Sequence, residues 1–172
     1  LTITVTGIND APVATNDTGS VNEDATLSVS NGSGDIIDNN DTDADDSASL
    51  VVSAVRIGGV EGSGTAGTVG QALTGTYGQL TLNANGSYSY VANQDAADDL
   101  DASDQVTDVF NYTLSDGTAT DTATITITVT GINDAPVADN ETGAVNEDAT
   151  LTVTDGTSDV LHGDTDADDS AS

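Results

Sequence analysis

LTITVTGINDAPVA at residues 1–14 returns as ITITVTGINDAPVA at 125–138, and this long-range duplication restricts the fold more than any other feature of the chain. A segment that recurs so closely folds alike twice, so the chain is built from units about as long as the offset. TGSVNEDATLSV (18–29) likewise returns as TGAVNEDATLTV (142–153), and DTDADDSAS occurs unchanged at 41–49 and 164–172. The offset is 124 residues from Leu1 to Ile125 and 123 from Asp41 to Asp164, so one residue has been lost in between. The pattern divides the chain into five parts. Residues 1–8 read as the last strand of a preceding unit, 9–12 as a linker, 13–131 as one complete unit, 132–136 as a second linker, and 137–172 as the first part of the next unit. Leu1 and Ser172 read as cuts in a longer chain, so targeting signals are expected outside this window.

Within the complete unit the periodicity is two. Ile125, Ile127 and Val129 alternate with Thr124, Thr126 and Thr128, and Phe110, Tyr112 and Leu114 form a second alternating face. Ser115-Asp116-Gly117 between them is a turn signal, and Asp116 reads there as a turn former. GQLTLNANGSYSYV (78–91) predicts a hairpin about Asn85-Gly86, with Leu80, Leu82, Tyr88 and Tyr90 on one face. Leu50 to Ile57 adds another strand, and only 95–104 offers a short turn of helix. About seven short strands in about 120 residues predict an all-β fold, an antiparallel β-sandwich of the immunoglobulin-like kind. Pro12 and Pro136 stand where the chain leaves a sheet and mark the boundaries. The terminal pieces cannot complete one another, because 137–172 stops before the Leu50 strand while 1–8 returns only the final strand.

Charge narrows the function. Thirty Asp and Glu face one Arg and no Lys, for a formal charge of −29. Such a surface repels nucleic acid and anionic lipid, which need Lys and Arg, and invites hard cations. Without them the composition favours disorder. There is no Cys, so disulfides and thiolate metal sites are excluded, and no apolar run reaches the length of a membrane span. Catalysis finds no support. His162 has Asp38 as its counterpart in the first unit and reads as a surface residue, and the acids recur in boundary loops instead of a unique cleft.

DTDADDSASL (41–50) opens like an EF-hand loop, with Asp41, Asp43 and Asp45 at alternate positions, but Asp46 stands where the turn glycine belongs and Val52 where the bidentate Glu belongs. A self-contained EF-hand is excluded. The carboxylates still repel one another unless a cation lies among them.

NEDATLSV, DTDADD, GTYGQLTLNANGSYSYVAN and VFNYTLSDGTATDTATITITVTGINDAP together resemble a VCBS repeat, the cadherin-like module of giant RTX-type bacterial surface adhesins. The resemblance covers the whole chain. It implies a cadherin-like sandwich in tandem repeats, exported by type I secretion to the bacterial cell surface, where it spaces an adhesive tip away from the cell for adhesion and biofilm formation. The nonapeptide of RTX β-rolls is absent, so that calcium fold is not implied. By the same resemblance calcium is clamped at the junctions, by Asn9, Asp10, Asp43, Asp45 and Asp46 at the first and by Asn133, Asp134, Asp166, Asp168 and Asp169 at the second. About ten residues of strand beyond Pro12 span roughly 33 Å, about the length of a sandwich. Glu23 and Asp24 are therefore expected at the far end, facing the linker at 132–136, with Asp95, Asp98, Asp99 and Asp101 as further candidates. Glu147 and Asp148 would serve the following junction. The partners implied are calcium and neighbouring repeats of the same chain.

Two other readings use the same residues. A carbohydrate-binding module would work through loops 58–76 or through Tyr77, Tyr88 and Tyr90, although their alternation in strands favours packing. A filament subunit would associate laterally with neighbouring chains.

Overall fold

The computed structural model describes residues 1–32, 34–45, 49–154, 156 and 159–168. Among these, eight strands and two short helices form: β1 (Asp17–Asn22), β2 (Thr26–Val29), α1 (Ile36–Asn40), β3 (Val51–Ile57), β4 (Ala72–Thr74), β5 (Gln79–Leu82), β6 (Tyr88–Val91), α2 (Asp95–Asp98), β7 (Gln105–Ser115) and β8 (Thr120–Thr130). They build two four-stranded sheets, ordered β1-β8-β7-β3 and β2-β6-β5-β4. The result is the all-β sandwich that the alternating pattern predicts, with one departure. β1 pairs with β8 in parallel, from Asp17↔Ile125 to Asn22↔Thr130, while every other strand pair is antiparallel.

The inward faces are those of the sequence pattern. Ile125, Ile127 and Val129 of β8, Phe110, Tyr112 and Leu114 of β7, and Leu80, Leu82, Tyr88 and Tyr90 of the β5–β6 hairpin are buried together. Each such side chain contributes about 1.5–3 kcal/mol on leaving water. The Tyr90 and Phe110 rings meet edge to face at 6.4 Å. Tyr90 donates its hydroxyl to buried Asp108 at 2.6 Å, which also accepts from the amides of Thr76 and Tyr77. Tyr88 and Tyr90 are thus core residues, with no ring face free to stack on a sugar.

α1 is not foreseen by periodicity. It is five residues long and starts because Asp35 accepts from the amides of Ile37 and Asp38, an N-cap that so short a helix needs more than an apolar stripe. Among the described residues, the terminal segments stand outside both sheets. Residues 1–8 form no strand, and Leu1, Ile3, Val5 and Ile8 lie exposed. Among the described residues of 137–168 the one β-pairing is an isolated bridge, Val137↔Thr165. The reason is partnership. In the complete unit β1 needs β8 and β2 needs β6, both of which come much later in the chain.

The sandwich presents loops at two opposite poles. One carries residues 9–16, the loop after α1 and the β7–β8 turn. The other carries the β1–β2 turn, α2 and the exit of β8.

Candidate metal centre

β1 ends in the turn Asn22-Glu23-Asp24-Ala25, which is fixed from both sheets. The Glu23 amide donates to Thr130 O at 3.0 Å, and the Asp24 amide to Ala92 O at 3.0 Å. Asp24 adopts φ 57°, a left-handed conformation that Asp tolerates better than most residues. These restraints drive the Glu23 side chain inward until it is 1 % exposed. Its Oε1 accepts from the Ile132 amide at 2.5 Å, while Oε2 is buried with no hydrogen-bond partner.

The linker arrives from β8 pressed against the α2–β7 connection. Gly131 exchanges backbone hydrogen bonds with Ser103 and Asp104, and a Cβ placed on it would lie 2.3 Å from Asp101 O. Beyond it, Asn133 donates its side-chain amide to Asp134 O, and the Asp134 amide donates to Asp168 Oδ2 at 2.8 Å. The Asp168 amide donates in turn to Asp166 Oδ1 at 3.2 Å. Carboxylate oxygens of Glu23, Asp134 and Asp168 consequently lie within 4.8 Å of one another. Asp168 Oδ1 and Asp98 Oδ1 are buried and unpartnered like Glu23 Oε2. A cleft of about 430 Å³ beside them is lined by Asp101, Ala102, Asn133, Asp166 and Asp168.

The electrostatics are those of an uncompensated anion cluster. Burial first, then Asp134, Asp168 and Asp24, push the Glu23 carboxyl above its ordinary range. Burial likewise raises Asp98, reinforced by Asp24, Asp95, Asp134 and Asp99. Each buried orphan oxygen costs about 1–3 kcal/mol. Arg56 offers no relief, since its guanidinium donates to Gly64 O on another part of the sandwich. A donor set of carboxylates suits a hard divalent cation, and its several flexible acids suit calcium better than magnesium.

The opposite pole repeats half of this arrangement. Asn9 donates to Asp10 O at 2.5 Å, the Asp10 amide to Asp45 Oδ2 at 2.9 Å and the Asp45 amide to Asp43 Oδ1 at 2.8 Å, leaving Asp43 Oδ2 buried and unpartnered. Asp116 belongs to this pole as well. It makes the turn that the sequence predicts, accepting from Thr118 and Ala119, and its other oxygen accepts from the Asn9 side chain at 2.9 Å. Reading it as a turn former alone missed that second contact.

A family model described as the bacterial cadherin-like domain matches residues 9–131. The chain belongs to that family. No curated protein sequence matches it. The matched span begins at Asn9-Asp10 and ends at Gly131, so the cadherin-like unit carries Asp43, Asp45 and Asp116 at one pole and Glu23, Asp24 and Asp98 at the other. Domains of this kind generally bind calcium, and the acids gathered here are of the type that holds a metal.

The remaining candidates are dispersed or undescribed. Glu147 and Asp148 repeat the turn of Glu23 and Asp24, with Asp148 at φ 63°, but lie exposed. Asp95 opens α2 and Asp99 caps its C-terminus, after Asp98. Asp46 and Asp169 lie outside the described residues. His162 is exposed, as expected of a surface residue.

Two further acid groups escaped sequence reasoning. Asp17, 5 % exposed, and Asp41 face each other across Tyr112, whose single hydroxyl hydrogen serves Thr15 O at 2.9 Å, Asp17 Oδ2 at 3.0 Å and Asp41 Oδ2 at 3.3 Å. At the duplicated positions Glu141 and Asp164 stand for Asp17 and Asp41, and with Asp139, which stands for Thr15, they form an acid group near the surface. Only a strand beginning with an inward Asp signals the first, and that signal is weak against so acidic a background.

Proposed function

We propose that this cadherin-like domain is a calcium-rigidified extender of a secreted bacterial adhesin, a VCBS-type repeat that holds an adhesive tip away from the cell surface. One observation carries the reading. Glu23 is buried with an orphan oxygen, and beside it stand two acids, Asp134 and Asp168, from the linker and from the next unit. A cation there would be held by Glu23, Asp98, Asp134 and Asp168, with Asn133 and Asp166 at its margin. Its chemistry would be charge neutralisation and coordination, tying the two units together. At the other pole Asn9, Asp10, Asp43, Asp45 and Asp116 would do the same toward a preceding unit.

The secretion route is a consequence of the same physics. Where free calcium is low, a chain of formal charge −29 resists compaction and stays fit for export. Outside the cell, calcium near the roughly 0.1–1 mM affinities of extracellular modules neutralises the loops and stiffens the junctions. The domain has no catalytic role in this reading, because its acids are boundary acids that recur with the repeat.

Calorimetric titration of calcium alongside X-ray scattering tests the proposal. Calcium is expected to bind with sub-millimolar to millimolar affinity and to lengthen the particle without enlarging its mass. Asp43→Asn with Asp45→Asn is expected to reduce the number of ions bound. A particle whose melting temperature and dimensions ignore calcium would reject the reading. A mass that grows with protein concentration in calcium would favour a laterally associating filament instead.

A further inference from the structure

The duplicated sequence places the same local structure in two settings, once inside a complete sandwich and once without one. Inside it, Val13 and Thr42 exchange backbone hydrogen bonds of 2.7 and 3.1 Å; without it, Val137 and Thr165 do so at 2.7 and 3.0 Å. The Asp10 amide meets Asp45 at 2.9 Å, and the Asp134 amide meets Asp168 at 2.8 Å. The Thr15 amide meets Asp41 Oδ1 at 2.7 Å, and the Asp139 amide meets Asp164 Oδ1 at 3.0 Å. Even the internal step of the acidic loop recurs, from Asp45 to Asp43 and from Asp168 to Asp166. Four contacts are therefore indifferent to whether sheets surround them. Among the described residues of 137–168 no strand of the second unit has formed.

Resting on the calcium reading above, we infer that the follower's share of the junction is an autonomous clip, made by residues 132–139 and 164–168, that closes the cation site on a finished unit before the follower's own sheets exist. The physics is local. Three of the four contacts join the backbone of Asp134, Val137 and Asp139 to the loop that begins at Asp164, and the fourth lies within that loop, so closure spans 25–34 residues and needs no distant strand. The finished unit supplies the rest, since Glu23 Oε1 takes the Ile132 amide and Glu23 Oε2 waits unpartnered beside Asp134 and Asp168. Junctions therefore lock in chain order. Each repeat is sealed as soon as the start of the next one has emerged.

The test compares this 172-residue chain with a longer one, in which a copy of residues 50–131 is joined after Ser172 and completes the second unit. In each, the calcium affinity that depends on Glu23 is isolated by titrating the native protein and its Glu23→Gln variant. The inference expects that affinity to agree within about threefold between the two lengths. It also expects Asp168→Asn to weaken it at least about tenfold in the short chain, and the Val137 and Thr165 amides to be protected from hydrogen exchange there in calcium. A longer chain that binds tenfold or more tightly, an Asp168→Asn variant that binds as well as the native chain, or unprotected Val137 and Thr165 amides would overturn it. Calcium binding that ignores Glu23→Gln in both lengths is a different failure, which removes the calcium reading itself.

Discussion

Replacing Glu23 by Gln separates the cation from the fold, because it is expected to raise stability without calcium and to shrink the gain that calcium brings. In calcium-free solution Glu23 Oε2 is a buried anionic oxygen with no donor, close to Asp134 and Asp168. That state costs about 1–3 kcal/mol. Gln keeps an acceptor for the Ile132 amide, removes the charge and offers an N–H to the neighbouring carboxylates. The calcium-free variant is therefore expected to melt higher, by about 4–12 °C at about 4 °C per kcal/mol for a domain of this size. With calcium at about 100 times the dissociation constant, one site adds about 2.7 kcal/mol to the native protein, or about 11 °C. Losing a charged ligand weakens binding about tenfold, which removes about 1.4 kcal/mol and leaves a rise of about 5 °C. Scanning calorimetry of both proteins, in chelator and at the same free calcium, reads both quantities. A variant that melts below the native chain in chelator and gains as much from calcium would refute the reasoning, leaving Glu23 a plain acceptor for the linker amide.

Three other outcomes are expected from the fold. Burial raises the Asp17 carboxyl from 3.8 to about 6, so the folded chain holds its proton better than the unfolded one. Its contribution to stability is full below about pH 4 and is lost as the pH rises through about 6. Asp17→Asn should then match the native protein near pH 4 and melt higher at pH 7.5 by roughly 1–3 kcal/mol equivalent; a native–variant difference constant from pH 4 to 8 in paired melts contradicts this. Tyr112→Phe removes the one hydroxyl that serves Thr15, Asp17 and Asp41, and should cost about 1–3 kcal/mol in denaturant melts, against no change if the three acceptors are otherwise satisfied. Gly131→Ala puts a methyl group 2.3 Å from Asp101 O and should destabilise by about 1–3 kcal/mol while weakening calcium binding, whereas an unchanged titration would detach the linker's seat from the site.

The sheets were legible because burial on one face writes itself into alternate residues, as Ile125, Ile127 and Val129 show. The approach of Glu23 to the linker was legible by length alone, since a strand's rise carries the chain from Pro12 to the other end of a sandwich. Other features leave no such mark. Parallel pairing of β1 with β8 uses the same alternation as antiparallel pairing. α1 depends on one cap, Asp35, of a kind that any turn can carry in so Asp-rich a chain. Asp116 serves a turn and touches Asn9 with its two oxygens, and sequence displays only the turn. Residues 1–8 and 150–154 have the pattern of strands without strands to pair with, because pattern reports which face would be buried and not whether a partner is at hand.

If a divalent cation joins a finished unit to the start of the next, crystals of this chain grown in calcium, measured where calcium scatters anomalously, address it most directly. The expected result is a peak about 2.3–2.6 Å from carboxylate oxygens of Glu23, Asp134 and Asp168. The same three acids gathered around no peak, with the linker still seated at Gly131, would contradict it.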